Sequence, residues 1–133
     1  MSDILRIPGN VPTRSWGSAY KDFVWALGMS DDFSLGFEEQ ARRAFDALDR
    51  GLAAAGTDRT RLINVQVYLY DIGRKGEFDR WWADWIGDEP QHWPMRSCVQ
   101  VTFAGNNKIE LLAVAARPDP DGDPDSDPDG GGG

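Results

Sequence analysis

At Gly56 the apolar rhythm of this chain changes, and that change restricts the fold more than any other feature. Before it, Phe37, Ala41, Ala44, Phe45, Leu48, Leu52 and Ala55 recur at steps of three and four. Glu38, Glu39, Arg42, Arg43, Asp46, Asp49 and Arg50 fill the opposite side. This is a one-sided amphipathic helix, with Ser34 a candidate N-cap and Gly56 a C′ residue. After Gly56, Ile63, Val65, Val67 and Leu69 alternate with Asn64, Gln66, Tyr68 and Tyr70 over Arg61–Tyr70, the period of a strand.

The rest of the chain repeats the pairing of strand and helix. Ser15–Tyr20 and Phe23–Gly28 read as strands joined at a Lys21-Asp22 corner, preceded by a short strand or arm over Met1–Pro12. Phe78, Trp81, Trp82 and Trp85 mark a second, shorter helix stopped by Gly87, its aromatic stripe read as core rather than as a stacking platform. Arg96–Phe103 and Lys108–Ala116 complete the set around a Gly105-Asn106-Asn107 turn. The order is β-β-α-β-α-β-β, an α+β domain in which two helices cover one face of a four- or five-stranded sheet. The other face is expected to carry Asn64, Gln66, Tyr68, Arg96, Cys98, Gln100 and Glu110 beside Leu112 and Val114. Such a half-apolar face suits a subunit interface holding a wet pocket.

Composition removes several classes of function. The 133 residues fit one domain, read as 1–117, followed by a tail over 118–133. That tail holds six aspartates and no base, so the net charge of −8 falls to −2 for the body. It is expected to be disordered and to disfavour phosphate backbones. Asp125-Ser126-Asp127-Pro128-Asp129-Gly130 matches only the first half of a calcium loop. One cysteine, Cys98, and one histidine, His92, exclude a disulfide scaffold and a zinc module, so no metal site is expected. No apolar run suits a membrane span and no secretion signal is evident, so a cytoplasmic location is expected.

Three residues invite chemistry. Arg96 follows Pro94-Met95 at a strand start, where its guanidinium can grip a carboxylate in a fork. Cys98, two residues on, shares its phase, and Glu110 on the next strand can orient or deprotonate water. Strand counting brings all three onto one sheet face. The plainer reading is a structural Arg96–Glu110 ion pair, with Cys98 a small buried hydrophobe.

Pro94-Met95-Arg96-Ser97-Cys98-Val99-Gln100-Val101 followed by Lys108-Ile109-Glu110 resembles the P-x-R-S-x-V-x-V…[KV]-[IV]-E signature of the Rid family, also called YjgF/YER057c/UK114. The helix from Glu39-Gln40-Ala41 to Gly56, the strand ending Tyr70-Asp71 and the Phe78…Trp85 helix resemble the family's elements in the same order. The likeness spans roughly Ser15–Ala116. It implies a chorismate-mutase-like α+β fold, a homotrimer with pockets between subunits, and hydrolysis of small carboxylated enamines and imines to 2-keto acids and ammonia without a cofactor. By the same resemblance Arg96 binds the substrate carboxylate, Glu110 positions the attacking water and Cys98 lines the wall, with Leu27 and Tyr20 (or Trp16 in its place) also at the substrate. Leu27 and Met29 stand where deaminating members often carry serine and glutamine, and Asp79 falls near a frequent asparagine. Two other readings stand beside it: a non-catalytic trimer that binds a small carboxylate at the same arginine, and, from the tryptophan count, an accessory hydrolase for another intermediate, ring-opened or aromatic.

Overall fold

A computed structural model describes residues 3–118; the acidic tail lies outside the described residues, apart from Pro118. Six strands and two α-helices form one mixed sheet covered on one side. The elements are β1 (Ile4–Pro8), β2 (Ser15–Tyr20), β3 (Phe23–Met29), α1 (Phe37–Ala54), β4 (Leu62–Leu69), α2 (Lys75–Ile86), β5 (Met95–Gln100) and β6 (Ile109–Ala116). The sheet order is β1-β2-β3-β6-β4-β5. All neighbours are antiparallel except β4 and β5, which run parallel through the α2 crossover.

The sheet has six strands rather than four or five because the N-terminal arm pairs as a full strand, from Ile4 opposite Tyr20 to Pro8 opposite Ser15. Pro8, which lacks an amide donor, ends this edge strand at a register shift. The Lys21-Asp22 corner closes the β2–β3 hairpin as expected, with Lys21 at φ 54°.

Helix α1 follows the three-and-four pattern. Ala41, Ala44, Leu48 and Leu52 are fully buried against β3 and β6. Its N-cap is Gly36, not Ser34, whose hydroxyl instead donates to Asp32. The close approach of α1 requires Gly28 on β3, where a Cβ would sit 2.5 Å from the Ala44 carbonyl oxygen. Beyond the helix, Gly56 takes φ 87°, the left-handed turn its C′ position requires.

Helix α2 begins earlier than the aromatic stripe, at Lys75, and Gly87 ends it. Its rings are core. Phe78 is fully buried and stacks with Phe45 at 5.8 Å, and Trp85 stacks with Phe45 at 4.8 Å. Trp81 meets Phe37 edge-on.

A bulge between Leu62 and Asn64 shifts the phase at the start of β4, so Leu62 is buried and Ile63 is exposed. From there Val65, Val67 and Leu69 face the helices. Tyr70, expected on the uncovered face, instead packs on Phe37 at 5.5 Å and accepts a hydrogen bond from Arg74. Among the described residues no helix is long and apolar enough to cross a membrane. None of their His, Cys, Asp and Glu side chains gathers in threes fit to hold a metal.

Candidate functional site

The uncovered face of the sheet is the first part of the site. Phe23, Trp25, Leu27 and Met29 of β3 lie opposite Ala116, Val114, Leu112 and Glu110 of β6, and Tyr68 of β4 lies opposite Glu110. Phe23, Trp25 and Leu112 are each 40% exposed or more, an apolar surface beside a carboxylate. Glu110 is half-buried between Met29 and Tyr68, and its carboxylate makes no hydrogen bond or ion pair with the described residues. Burial alone holds its carboxyl above the usual value of 4.5.

Arg96 and Cys98 are not on that face. In the parallel ladder Arg96 lies opposite Val65 and Cys98 opposite Val67, both buried under the helices. The expected convergence of Arg96, Cys98 and Glu110 on one face is therefore wrong within a single chain. Strand β5 is an edge, its alternation Met-Arg-Ser-Cys-Val-Gln has no clean apolar phase, and the longer polar side chains turn inward. No Arg96–Glu110 ion pair forms either.

Arg96 is instead fixed beneath α2. Its Nη2 donates to Asp79 Oδ1 at 2.8 Å, while Lys75 Nζ lies 2.8 Å from Asp79 Oδ2. The guanidinium stands over the rings of Trp82, at 5.2 Å, and Phe78, at 5.6 Å. The arginine side chain is only 18% exposed. Burial pushes the Asp79 carboxyl up, but the hydrogen bonds from Lys75 and Arg96 outweigh it and leave the group below its usual value. Two cations against one anion leave this cluster a net positive charge at the open edge of the sheet. Burial pushes the half-buried Cys98 thiol up, against weaker opposing pulls from Arg96 and Lys75, so it is a neutral wall rather than a ready nucleophile.

Leu27 and Tyr20 also separate. Tyr20 sits at the hairpin end of β2, opposite Ile4 and Phe23. Leu27 lies four residues along β3 and lines a cavity of about 320 Å³ with Trp16, Met29 and Phe33. Trp16, not Tyr20, is the aromatic beside Leu27. The cavity depends on the turn between Met29 and α1, a feature without strand or helix periodicity.

Gln40 organises that turn. Fully buried on α1, its Nε2 donates to the carbonyls of Phe33 at 3.2 Å, Leu35 at 2.9 Å and Asn106 at 3.1 Å. Its Oε1 accepts from the Lys108 amide at 3.0 Å. One amide thus fixes both the cavity wall and the start of β6, two residues before Glu110. A glutamine interrupting the apolar stripe of α1 was the available signal.

Comparison with known proteins agrees with this architecture. The Endoribonuclease L-PSP family pattern matches residues 26–117. A RutC family protein of Haemophilus ducreyi is 29% identical over 79 residues, which span 59% of this chain and 66% of that protein. Among solved structures, a Pseudomonas aeruginosa protein superposes with a TM-score of 0.76 at 24% identity, covering 86% of this chain and 98% of the other. A YjgF family member from Neisseria meningitidis gives 0.75 at 23% identity, covering 88% and 97%. The mixed sheet with both helices on one face is their fold, and the chain belongs to the Endoribonuclease L-PSP family, the YjgF or Rid group.

Proposed function

We propose that the protein is a homotrimeric hydrolase of small carboxylated imines and enamines, releasing a 2-keto acid and ammonia. The observation that carries this reading is the placement of Arg96 and Glu110 on opposite faces of one sheet. Within one chain the two side chains do not face a common side of the sheet. A head-to-tail ring in which the β5 edge of one copy lies against the open face of the next brings Arg96 and Cys98 to Leu27 and Glu110 of its neighbour. The exposed Phe23, Trp25 and Leu112 supply an apolar area for that contact.

At such a junction the net positive Lys75–Asp79–Arg96 cluster receives the substrate carboxylate on the donors of Arg96 that Asp79 leaves free. Glu110, whose carboxylate has no partner among the described residues and is raised by burial, takes a proton from water as the oxygen bonds to the protonated imine carbon. The carbinolamine nitrogen then accepts that proton, the C–N bond breaks as the hydroxyl returns its proton to Glu110, and the keto acid leaves with ammonia, which carries that proton away as ammonium. Water is the sole co-reactant. Cys98 lines the wall without a covalent role. The single free thiol and the cofactor-free chemistry suit a cytoplasmic setting.

The test generates 2-iminopropanoate with an amino-acid oxidase, or 2-aminoacrylate with a serine dehydratase, and follows decay of the imine. The protein is expected to accelerate decay, and Arg96→Ala to remove the effect. Unaccelerated decay, with 2-keto acids still bound through Arg96, would establish the binding-protein reading instead.

A further inference from the structure

We infer that the substrate of this site carries a bulky apolar side chain, of isobutyl or benzyl size, seated in the cavity between the end of β3 and the β1–β2 connection. This rests on the proposed reading of the Glu110 site and specifies its substrate class. The cavity holds about 320 Å³, far more than a methyl or methylene group fills. Its walls are Trp16 from β2, Leu27 and Met29 from β3, and Phe33 and Val11 from the flanking connections. Met29, which lines the cavity, is the cross-strand neighbour of Glu110, so the cavity lies one strand away from the carboxylate that would handle water. A substrate with its reacting carbon at Glu110 has this apolar volume as the place for its substituent.

The polar groups lining the cavity are either committed within the chain or exposed at its margin. Asp31 is paired with Arg43 at 2.9 Å. The Ser30 hydroxyl is committed to the Asp32 backbone, donating to its carbonyl at 2.9 Å and accepting from its amide at 3.1 Å. Asn10 and Arg14 on the β1–β2 connection and Ser15 at the start of β2 are exposed lining residues. A small polar imine would leave the apolar walls wet. A branched or aromatic one would displace that water, and each buried methylene is worth about 4-fold in affinity.

Two measurements on the full-length protein test the inference separately from the catalytic reading. The first is calorimetric binding of pyruvate and of 4-methyl-2-oxopentanoate, the product analogues with a methyl and an isobutyl group. The branched acid is expected to bind at least ~10-fold tighter. Leu27→Ser and, separately, Met29→Gln are expected to shrink that ratio several-fold, chiefly by weakening the branched acid. Two single variants guard against one that fails to fold, which thermal melting identifies. The second measurement is hydrolysis of imines made by an amino-acid oxidase from alanine and from leucine, where kcat/KM is expected to favour the leucine-derived imine. Equal binding of the two acids, absence of binding, or a ratio unmoved in both folded variants overturns the inference. Preference for the alanine-derived imine also overturns it while leaving the hydrolase standing. A clear binding preference with no hydrolysis of either imine overturns the hydrolase and leaves the cavity assignment in place.

Discussion

Arg96 of β5 and Asp79 of α2 are joined at 2.8 Å beneath the helix layer, so the arginine expected to meet a substrate is also the residue that ties the edge strand to its covering helix. A guanidinium free to swing would lose more side-chain entropy on gripping a carboxylate. Here the rings of Phe78 and Trp82 and the Asp79 carboxylate have already reduced that freedom.

The double role predicts that Arg96→Ala and Arg96→Lys differ in two readouts. Removing the side chain leaves Asp79 to Lys75 alone and strips the cation from two rings, a loss of about 1–2 kcal/mol in urea unfolding. Arg96→Lys keeps the charge and part of the stability but loses the planar fork, so turnover of imine falls at least ~10-fold. Equal turnover for wild type and Arg96→Lys would remove the fork from the mechanism.

Asp79 gives the pair a pH signature. Its carboxyl is held below the ordinary 3.8, so its stabilisation is present above that value and is lost as pH falls through the lower, folded-state value. Asp79→Asn is therefore expected to flatten the acid limb of the stability curve below about pH 4. At neutral pH it should cost about 1 kcal/mol or less, because the group is 39% exposed. A variant whose acid unfolding curve overlays wild type would mean the bridge contributes nothing.

Periodicity made the interior of this fold legible and left its margins obscure. The Phe37–Leu52 stripe and the Val65–Leu69 alternation are where burial is complete, so packing and sequence pattern carry the same information. Strand β1 was ambiguous because Pro8, Gly9 and Pro12 read as an arm, although the edge of a sheet tolerates a proline at a strand end. The phase of β5 was misread because an edge strand has one neighbour and covers its inner face with stems and a thiol rather than branched apolar residues. The Leu62–Asn64 bulge and the cavity turn have no period at all. In the candidate site, Glu110 lies on the expected face, while Arg96 and Cys98 required the ladder register.

Gln40→Leu is expected to be among the most destabilising single changes in α1. It is nearly isosteric, but it leaves three carbonyls and the Lys108 amide without their partner in a dry interior. A loss of about 2–4 kcal/mol in urea unfolding follows. Because the same amide holds the turn beside Met29 and the start of β6, ligand binding should weaken even where the variant remains folded. A loss under about 0.5 kcal/mol would show that the turn repacks without it.

Glu110→Gln is expected to trade activity for stability. A carboxyl whose folded-state value is raised favours the fold only while it is protonated, and that advantage is lost as pH rises through the raised value. Ionising Glu110 in the folded protein therefore costs stability, and the amide removes that cost. The melting temperature should rise by about 2 °C at pH 7 and be unchanged near pH 4, while kcat for imine hydrolysis falls at least ~100-fold. A lower melting temperature at pH 7 would mean that Glu110 has a cationic partner in the assembly.

Trp25→Glu separates the assembly from the fold. Trp25 is 40% exposed at the centre of the open face, tilted against Phe23 at 6.3 Å and opposite Val114, so it contributes little to the interior of its own chain. In the proposed ring it is buried by a neighbour, and a glutamate there would be desolvated beside apolar groups. Light scattering of the wild type is expected to give three times the 14.8 kDa chain mass at micromolar concentration, and the variant a single chain. Circular dichroism should be unchanged, since the helix-covered core is untouched. Imine hydrolysis should nevertheless vanish, because separation removes Arg96 of one copy from Glu110 of the next although every proposed catalytic residue is still present. A wild type that runs as a monomer would break the shared-site proposal at its premise. A monomeric variant that hydrolyses imine at the wild-type rate would place the whole reaction within one chain.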